Sequence, residues 1–132
     1  MDKQLLSTFI KKLETSKKIV IIPHKNPDGD ALGSCLALHF FLVKTGHSAD
    51  VISPNEYPEF LNWMPGQENI INYSTANEKT VELIEKAEII FTLDYNQLNR
   101  IGNLEPIVAS SKAQKIMIDH HENPGDYADV TY

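Results

Sequence analysis

Lys18-Ile19-Val20-Ile21-Ile22-Pro23, running straight into His24-Lys25-Asn26-Pro27-Asp28-Gly29-Asp30, decides how the rest of the chain is read. Its first half is apolar without alternation and rich in β-branched residues. That pattern predicts a strand covered on both faces, as in a parallel sheet. The second half is a polar turn, and Ala31 to about Lys44 then reads as a helix that stops before Gly46. Strand, turn and helix in that order open a βαβ unit.

Two later runs repeat the pattern. Glu88-Ile89-Ile90-Phe91-Thr92-Leu93 ends at Asp94, and Lys115-Ile116-Met117-Ile118 ends at Asp119-His120-His121. Helices are predicted over Glu78 to Lys86 and, broken by Pro106, over about Leu98 to Ser110. Ala49 to Ser53 reads as a further strand closed by Pro54. From Asn55 to Asn77 the chain is broken by Pro58, Pro65 and Gly66, with Ile70-Ile71-Asn72-Tyr73 a small strand. An amphipathic helix over Lys3 to about Glu14 opens the chain and carries Leu5, Leu6, Phe9, Ile10 and Leu13 on one face. Asp126 to Tyr132 reads as the approach to one more strand.

The expected fold is α/β, a doubly wound and mostly parallel sheet with helices on both faces. No repeat or linker divides it. Ending on a lone strand approach leaves the last edge uncovered, so the domain reads as truncated at its C-terminus and prone to self-association as a homo-oligomer.

Composition narrows the classes. The chain has 132 residues, 42% hydrophobic and 23% charged, which excludes a disordered tail, a collagen-like polymer and a long coiled coil. Its longest apolar runs, such as residues 36–43, are too short for a membrane span, and the opening residues do not read as a signal peptide. A single cysteine, Cys35, makes no internal disulfide and suits a reducing, cytoplasmic setting. A net charge of -6 argues against binding duplex DNA along its phosphate backbone.

The ionisable residues gather at strand ends: His24, Asp28 and Asp30 after the first buried strand, Asp94 after the next, Asp119, His120 and His121 after the third. A parallel sheet brings such ends to one edge, where open α/β folds bind ligands. Carboxylates brought together repel unless a cation neutralises them. Mixed oxygen and nitrogen donors favour Mn²⁺, Zn²⁺ or Fe²⁺, and two such ions polarise a phosphoryl group and activate water. Each residue also has a plain structural use. Asp30 suits capping of a helix starting at Ala31, Asp94 a turn, and His120 and His121 a half-buried pair. Cys35 reads as core, His39 as a helix residue, and His47 as a turn residue. Tyr57, Phe60 and Trp63 suggest a base-stacking platform, with packing over the sheet the simpler expectation.

These turns resemble the signature motifs of the DHH phosphoesterase superfamily. His24-Lys25-Asn26-Pro27-Asp28-Gly29-Asp30-Ala31-Leu32-Gly33-Ser34 matches the H-x-x-P-D-x-D pattern, Asp94 closes its strand as the second motif, and Asp119-His120-His121 is the name-giving third. The likeness covers nearly the whole chain and is greatest to the NrnA-like oligoribonuclease and exopolyphosphatase-related branch. It implies that residues 1–132 are the N-terminal portion of a catalytic domain, without the fourth motif and the DHH-associated C-terminal domain. It also implies two Mn²⁺ ions, the first held by His24 and Asp28, the second by Asp30 and His120, with Asp94 bridging. His121 would face the substrate phosphate and Asp119 would orient its neighbours. Arg100, the one arginine, stands between a phosphate clamp and a surface role.

The implied activity is hydrolysis of small phosphorylated nucleotides or short single-stranded oligonucleotides by a metal-activated water. Pyrophosphate cleavage is the variant in distant relatives. The rival from another class is a metal- and nucleotide-binding module without turnover, favoured by the missing fourth motif. A haloacid-dehalogenase-like phosphatase needs a nucleophilic Asp where this chain has His24, and no G-x-G-x-x-G supports a dinucleotide-binding domain.

Overall fold

Ile19 and Ile21 of strand β1 (Lys18–Pro23) bury into one core and Val20 and Ile22 into another, which is why the run shows no polar alternation. Strand β4 (Ile89–Leu93) divides in the same way, with Phe91 and Ile90 fully buried on opposite sides. The computed structural model describes residues 3–15, 17–121 and 125–131. Around these two strands lie α1 (Lys3–Lys12), α2 (Gly29–Lys44), β2 (Ser48–Ser53), β3 (Ile71–Asn72), α3 (Asn77–Lys86), α4 (Glu105–Ala109), β5 (Gln114–Ile118) and β6 (Val130–Thr131).

The sheet has six strands in the order β3-β2-β1-β4-β5-β6, and every pairing is parallel. From β1 the chain winds outward through α2 to β2 and β3. It returns through α3 to β4 on the other side of β1 and winds outward again. The direction therefore reverses between β1 and β4, the crevice at which such sheets take ligands. Leu32, Cys35, Leu36 and Leu42 of α2 cover one face with Phe9 and Leu13, while Ile84 of α3 and Ile101, Leu104 and Val108 cover the other. The fold is thus the α/β, doubly wound parallel sheet expected of the sequence.

Local differences have local causes. Helix α2 begins at Gly29, not Ala31, because the Asp28 carboxylate accepts the Ala31 N–H at 2.9 Å and caps it; Asp30 then falls inside the first turn. After Leu98 the chain makes 3₁₀ turns to Leu104, broken at Gly102 with φ 59°. Pro106 does not interrupt a helix but opens α4, where its missing N–H is no loss. On α1 the apolar stripe is narrower than its sequence suggests. Phe9 stacks edge-on against Phe91 with centroids 5.8 Å apart, whereas Leu6 and Ile10 are exposed. The Leu5 side chain and Tyr132, both included in the expectations above, lie outside the described residues.

The segment between β2 and β3 overturns another expectation. Leu61 and Met64 are buried, while Phe60 and Trp63 are each 74% exposed and do not pack over the sheet. Tight turns with a repeat of three put residues three apart on one side, so one pair goes in and the other out. Gly66, with φ 87°, closes this segment where a Cβ would meet the Phe40 ring at 2.7 Å. His47 is buried just before β2, and its Nδ1 accepts the Lys17 N–H at 3.1 Å. Cys35 is fully buried, and burial together with the Asp94 charge pushes its thiol far above the usual range. Among the described residues no helix is long and apolar enough to cross a membrane.

Since Phe91 is fully buried against both α1 and the sheet, Phe91→Ala is expected to cost about 3–5 kcal/mol in urea denaturation. Ile10→Lys, on the exposed side of α1, is expected to change stability by no more than about 0.5 kcal/mol.

Candidate metal centre

Pro23 is in register with Leu93, and Leu93 with Ile118. The next residue on each strand is His24, Asp94 and Asp119, so three chemically active side chains leave the sheet along a single row. The Asp94 N–H adds one further rung by donating to the Ile118 carbonyl at 3.1 Å. Asp94 itself turns to φ 69°, a left-handed conformation unusual outside glycine but accessible to Asp and Asn.

Asp94 lies between two imidazoles. His24 is buried, and its Nδ1 is 2.7 Å from the Lys25 carbonyl oxygen. A carbonyl only accepts, so Nδ1 carries a proton and Nε2 is the ring nitrogen left to face Asp94. That Nε2 is 3.9 Å from Asp94 Oδ2, too far for a hydrogen bond. On the other side His120 Nε2 is 3.2 Å from Asp94 Oδ1. His24, Asp28 and Asp94 place one ligand atom each within 4.8 Å of one another, and Asp94, Asp119, His120 and His121 form a second such group. Capping α2 uses one lone-pair position of Asp28, and a carboxylate has others.

The second group has its own support. Asp119, whose side chain is 2% exposed, accepts both the His121 N–H and the His121 Nδ1–H. That hydrogen bond, followed by the Asp119 charge, raises the His121 pKa above its usual value, and the Arg100 charge opposes the rise. Arg100 is exposed, and its carbonyl accepts the Lys25 N–H at 2.7 Å, which joins the turn carrying Arg100 to the one carrying His24. Asp30 lies in neither group. It lines a cavity of about 420 Å³ with Ser34, Leu38, Asp94, Asp119 and His120.

Divalent cations fit these residues. Three carboxylates, those of Asp28, Asp94 and Asp119, converge with the imidazoles of His24, His120 and His121. Oxygen and nitrogen donors without sulfur suit transition-metal dications, and the Nδ1 contact of His24 presents its Nε2 as the donor atom. The Lys25 carbonyl that fixes this tautomer carries no signal in the sequence, because every residue has one.

Comparison with known proteins identifies the family and the fold. The sequence profile described as DHH family, N-terminal domain, matches residues 18–132. The crystal structure of an exopolyphosphatase-related protein from Bacteroides fragilis superposes with a TM-score of 0.96 at 44% identity, over 99% of this chain and 38% of that one. This chain therefore spans well under half of that protein's length. An α-glucosyltransferase solved with UDP and a 13-mer DNA shares the fold alone, at 16% identity and a TM-score of 0.63, over 89% of this chain and 37% of that one.

Replacing Asp94 by Asn keeps a residue that tolerates the left-handed backbone but removes the charge. Asp94→Asn is expected to weaken Mn²⁺ affinity in titration calorimetry by at least about 10-fold without lowering the melting temperature of the metal-free protein. Unchanged affinity would remove Asp94 from the centre. In the metal-free protein His121 is expected to titrate above 6.5 by NMR, and Asp119→Asn to bring it back down. Because the folded value is the raised one, the His121–Asp119 pair favours folding fully below pH 6.5 and loses that contribution as pH rises through the folded pKa.

Proposed function

Because this chain belongs to the DHH family, we propose that it carries the metal-holding part of a phosphoesterase site acting on small phosphorylated nucleotides or short single-stranded oligonucleotides. The observation that carries this reading is Asp94, whose two oxygens face separate imidazoles at 3.9 and 3.2 Å and join both ligand groups. In the proposal His24, Asp28 and Asp94 hold one Mn²⁺, and Asp94, His120 and Asp30 hold another. Bound there, the cations supply Lewis acidity to a phosphoryl oxygen and bring the pKa of water toward neutrality.

The chain's own side chains do the rest. His24 offers its Nε2 because the Lys25 carbonyl holds its proton on the far nitrogen. Asp119 keeps His121 oriented and more readily protonated, which makes the imidazolium a charged donor to a phosphoryl oxygen. Arg100 adds a second positive charge on that side. The 44% identity to a protein described as exopolyphosphatase-related supports a phosphorus-centred hydrolysis. The family description and the 38% span support placing residues 1–132 in the N-terminal portion of a catalytic domain. A reducing, cytoplasmic setting belongs to the same proposal.

A second reading, a module that binds metal and nucleotide without turnover, draws on Asp30 standing outside both tight groups. Conversion of a 5′-phosphorylated dinucleotide to mononucleotides, with and without Mn²⁺, separates the two. Mn²⁺-dependent turnover, abolished by Asp94→Asn and reduced about 100-fold by His121→Ala, is expected of the phosphoesterase. Binding of Mn²⁺ without turnover would leave only the module.

A further inference from the structure

Phe60 is the feature the metal centre leaves unexplained. A large aromatic ring 74% exposed on a firmly held segment has no stabilising role of its own. The segment is held by Leu61 and Met64, both buried, and by Tyr57, whose hydroxyl donates to Gln67 Oε1 at 2.9 Å. It follows β2, and parallel pairing of β2 with β1 brings it to the same sheet edge as the turn after β1. Between them is a pocket of about 370 Å³ lined by Asp28 on one side and by Glu56, Tyr57 and Phe60 on the other. Asp28 belongs to the His24–Asp94 ligand group, so this pocket opens directly beside the metal centre.

The pocket is preorganised. Pro27 and Pro58 line it and restrict its backbone, and two amides brace it across the gap. The Asn26 N–H donates to Asn55 Oδ1 at 2.7 Å, and Asn55 Nδ2 donates back to Asn26 Oδ1 at 2.6 Å. Among the described residues no lysine or arginine lines it, and Asp28 and Glu56 are acidic. A phosphate is repelled there. An uncharged planar group with donor amines is not, because it can stack on an aromatic face while carboxylate or amide oxygens accept from its edge.

We propose that this pocket is a nucleobase subsite in which Phe60 is the stacking face and Glu56 accepts from the edge of the base. It rests on the phosphoesterase reading for its substrate, with the phosphate at the metals and the attached base directed to the side of Asp28. The subsite selects nucleotides over inorganic or sugar phosphates, since only a base uses Phe60. Stacking on an exposed ring is tolerant of base identity, so purines and pyrimidines differ by degree.

The test is titration calorimetry of this chain in Mn²⁺ with AMP and with ribose 5-phosphate. AMP is expected to bind roughly 5- to 100-fold more tightly than ribose 5-phosphate, the usual range for one stacked base. Phe60→Ala is expected to bring AMP down to the level of ribose 5-phosphate, and Phe60→Trp to keep the preference. Equal affinities in the unmodified protein would overturn the subsite and leave the phosphoesterase reading intact. So would a Phe60→Ala effect of equal size on both ligands, which would make Phe60 a support for the loop. Binding of neither ligand also overturns the subsite. A retained AMP preference in a chain that binds no Mn²⁺ would sink the phosphoesterase reading alone.

Discussion

The register of three parallel strands is the constraint on which the centre depends. Pro23, Leu93 and Ile118 form the last common row, and His24, Asp94 and Asp119 follow it. A slip of one residue would move a ligand by about 3.3 Å and turn it to the other face. Yet β1 and β4 are apolar on both faces, so the hydrophobic pattern that pins half-exposed strands says little about their alignment. The polar ends supply what the middle lacks. At the entry edge the Glu88 N–H donates to the Lys18 carbonyl at 2.8 Å, its side chain accepts the Lys18 N–H at 3.0 Å, and the Gln114 N–H donates to the Glu88 carbonyl at 3.0 Å. At the exit edge Asp94 bonds to Ile118. The same strand ends that carry the chemistry also help to align the sheet.

Much of this was legible in the sequence, for a specific reason. Three apolar runs, each ending in Asp or His, say both that the sheet is buried on two faces and that its exit edge is ionisable. Periodicity and stop signals placed α1, α2 and α3, but not the 3₁₀ turns from Leu98 to Leu104 that lead into α4. What escaped was decided by short-range geometry. Phe60 and Trp63 turn outward because the tight turns after β2 repeat every three residues, a period hidden among Pro58, Pro65 and Gly66. The cap of α2 fell to Asp28 because its carboxylate reaches the Ala31 N–H, and two nearby aspartates cannot be ranked for that role from spacing alone. Asp30, inside the first turn of α2, lies outside both ligand groups.

The centre is arranged against stability. Asp119 is almost wholly enclosed, Asp94 nearly so, and their carboxylates share one cluster. Burying like charges costs free energy that the surrounding fold must supply. Asp94 adds a left-handed backbone to that cost. The supply comes from below, where Ile22, Phe91, Ile101 and Leu104 are fully buried and hold the edge rigid. The result is a dry apolar base under a strained polar rim.

The backbone at Asp94 also shapes how this position can be inherited. With φ 69° it accepts aspartate, asparagine and glycine more readily than any branched or bulky residue. Asparagine and glycine are each one nucleotide change from aspartate, and neither carries its charge. Drift at this codon therefore passes first through residues that suit the backbone and lack the charge. A lineage that loses the charge here keeps a scaffold free to acquire another use.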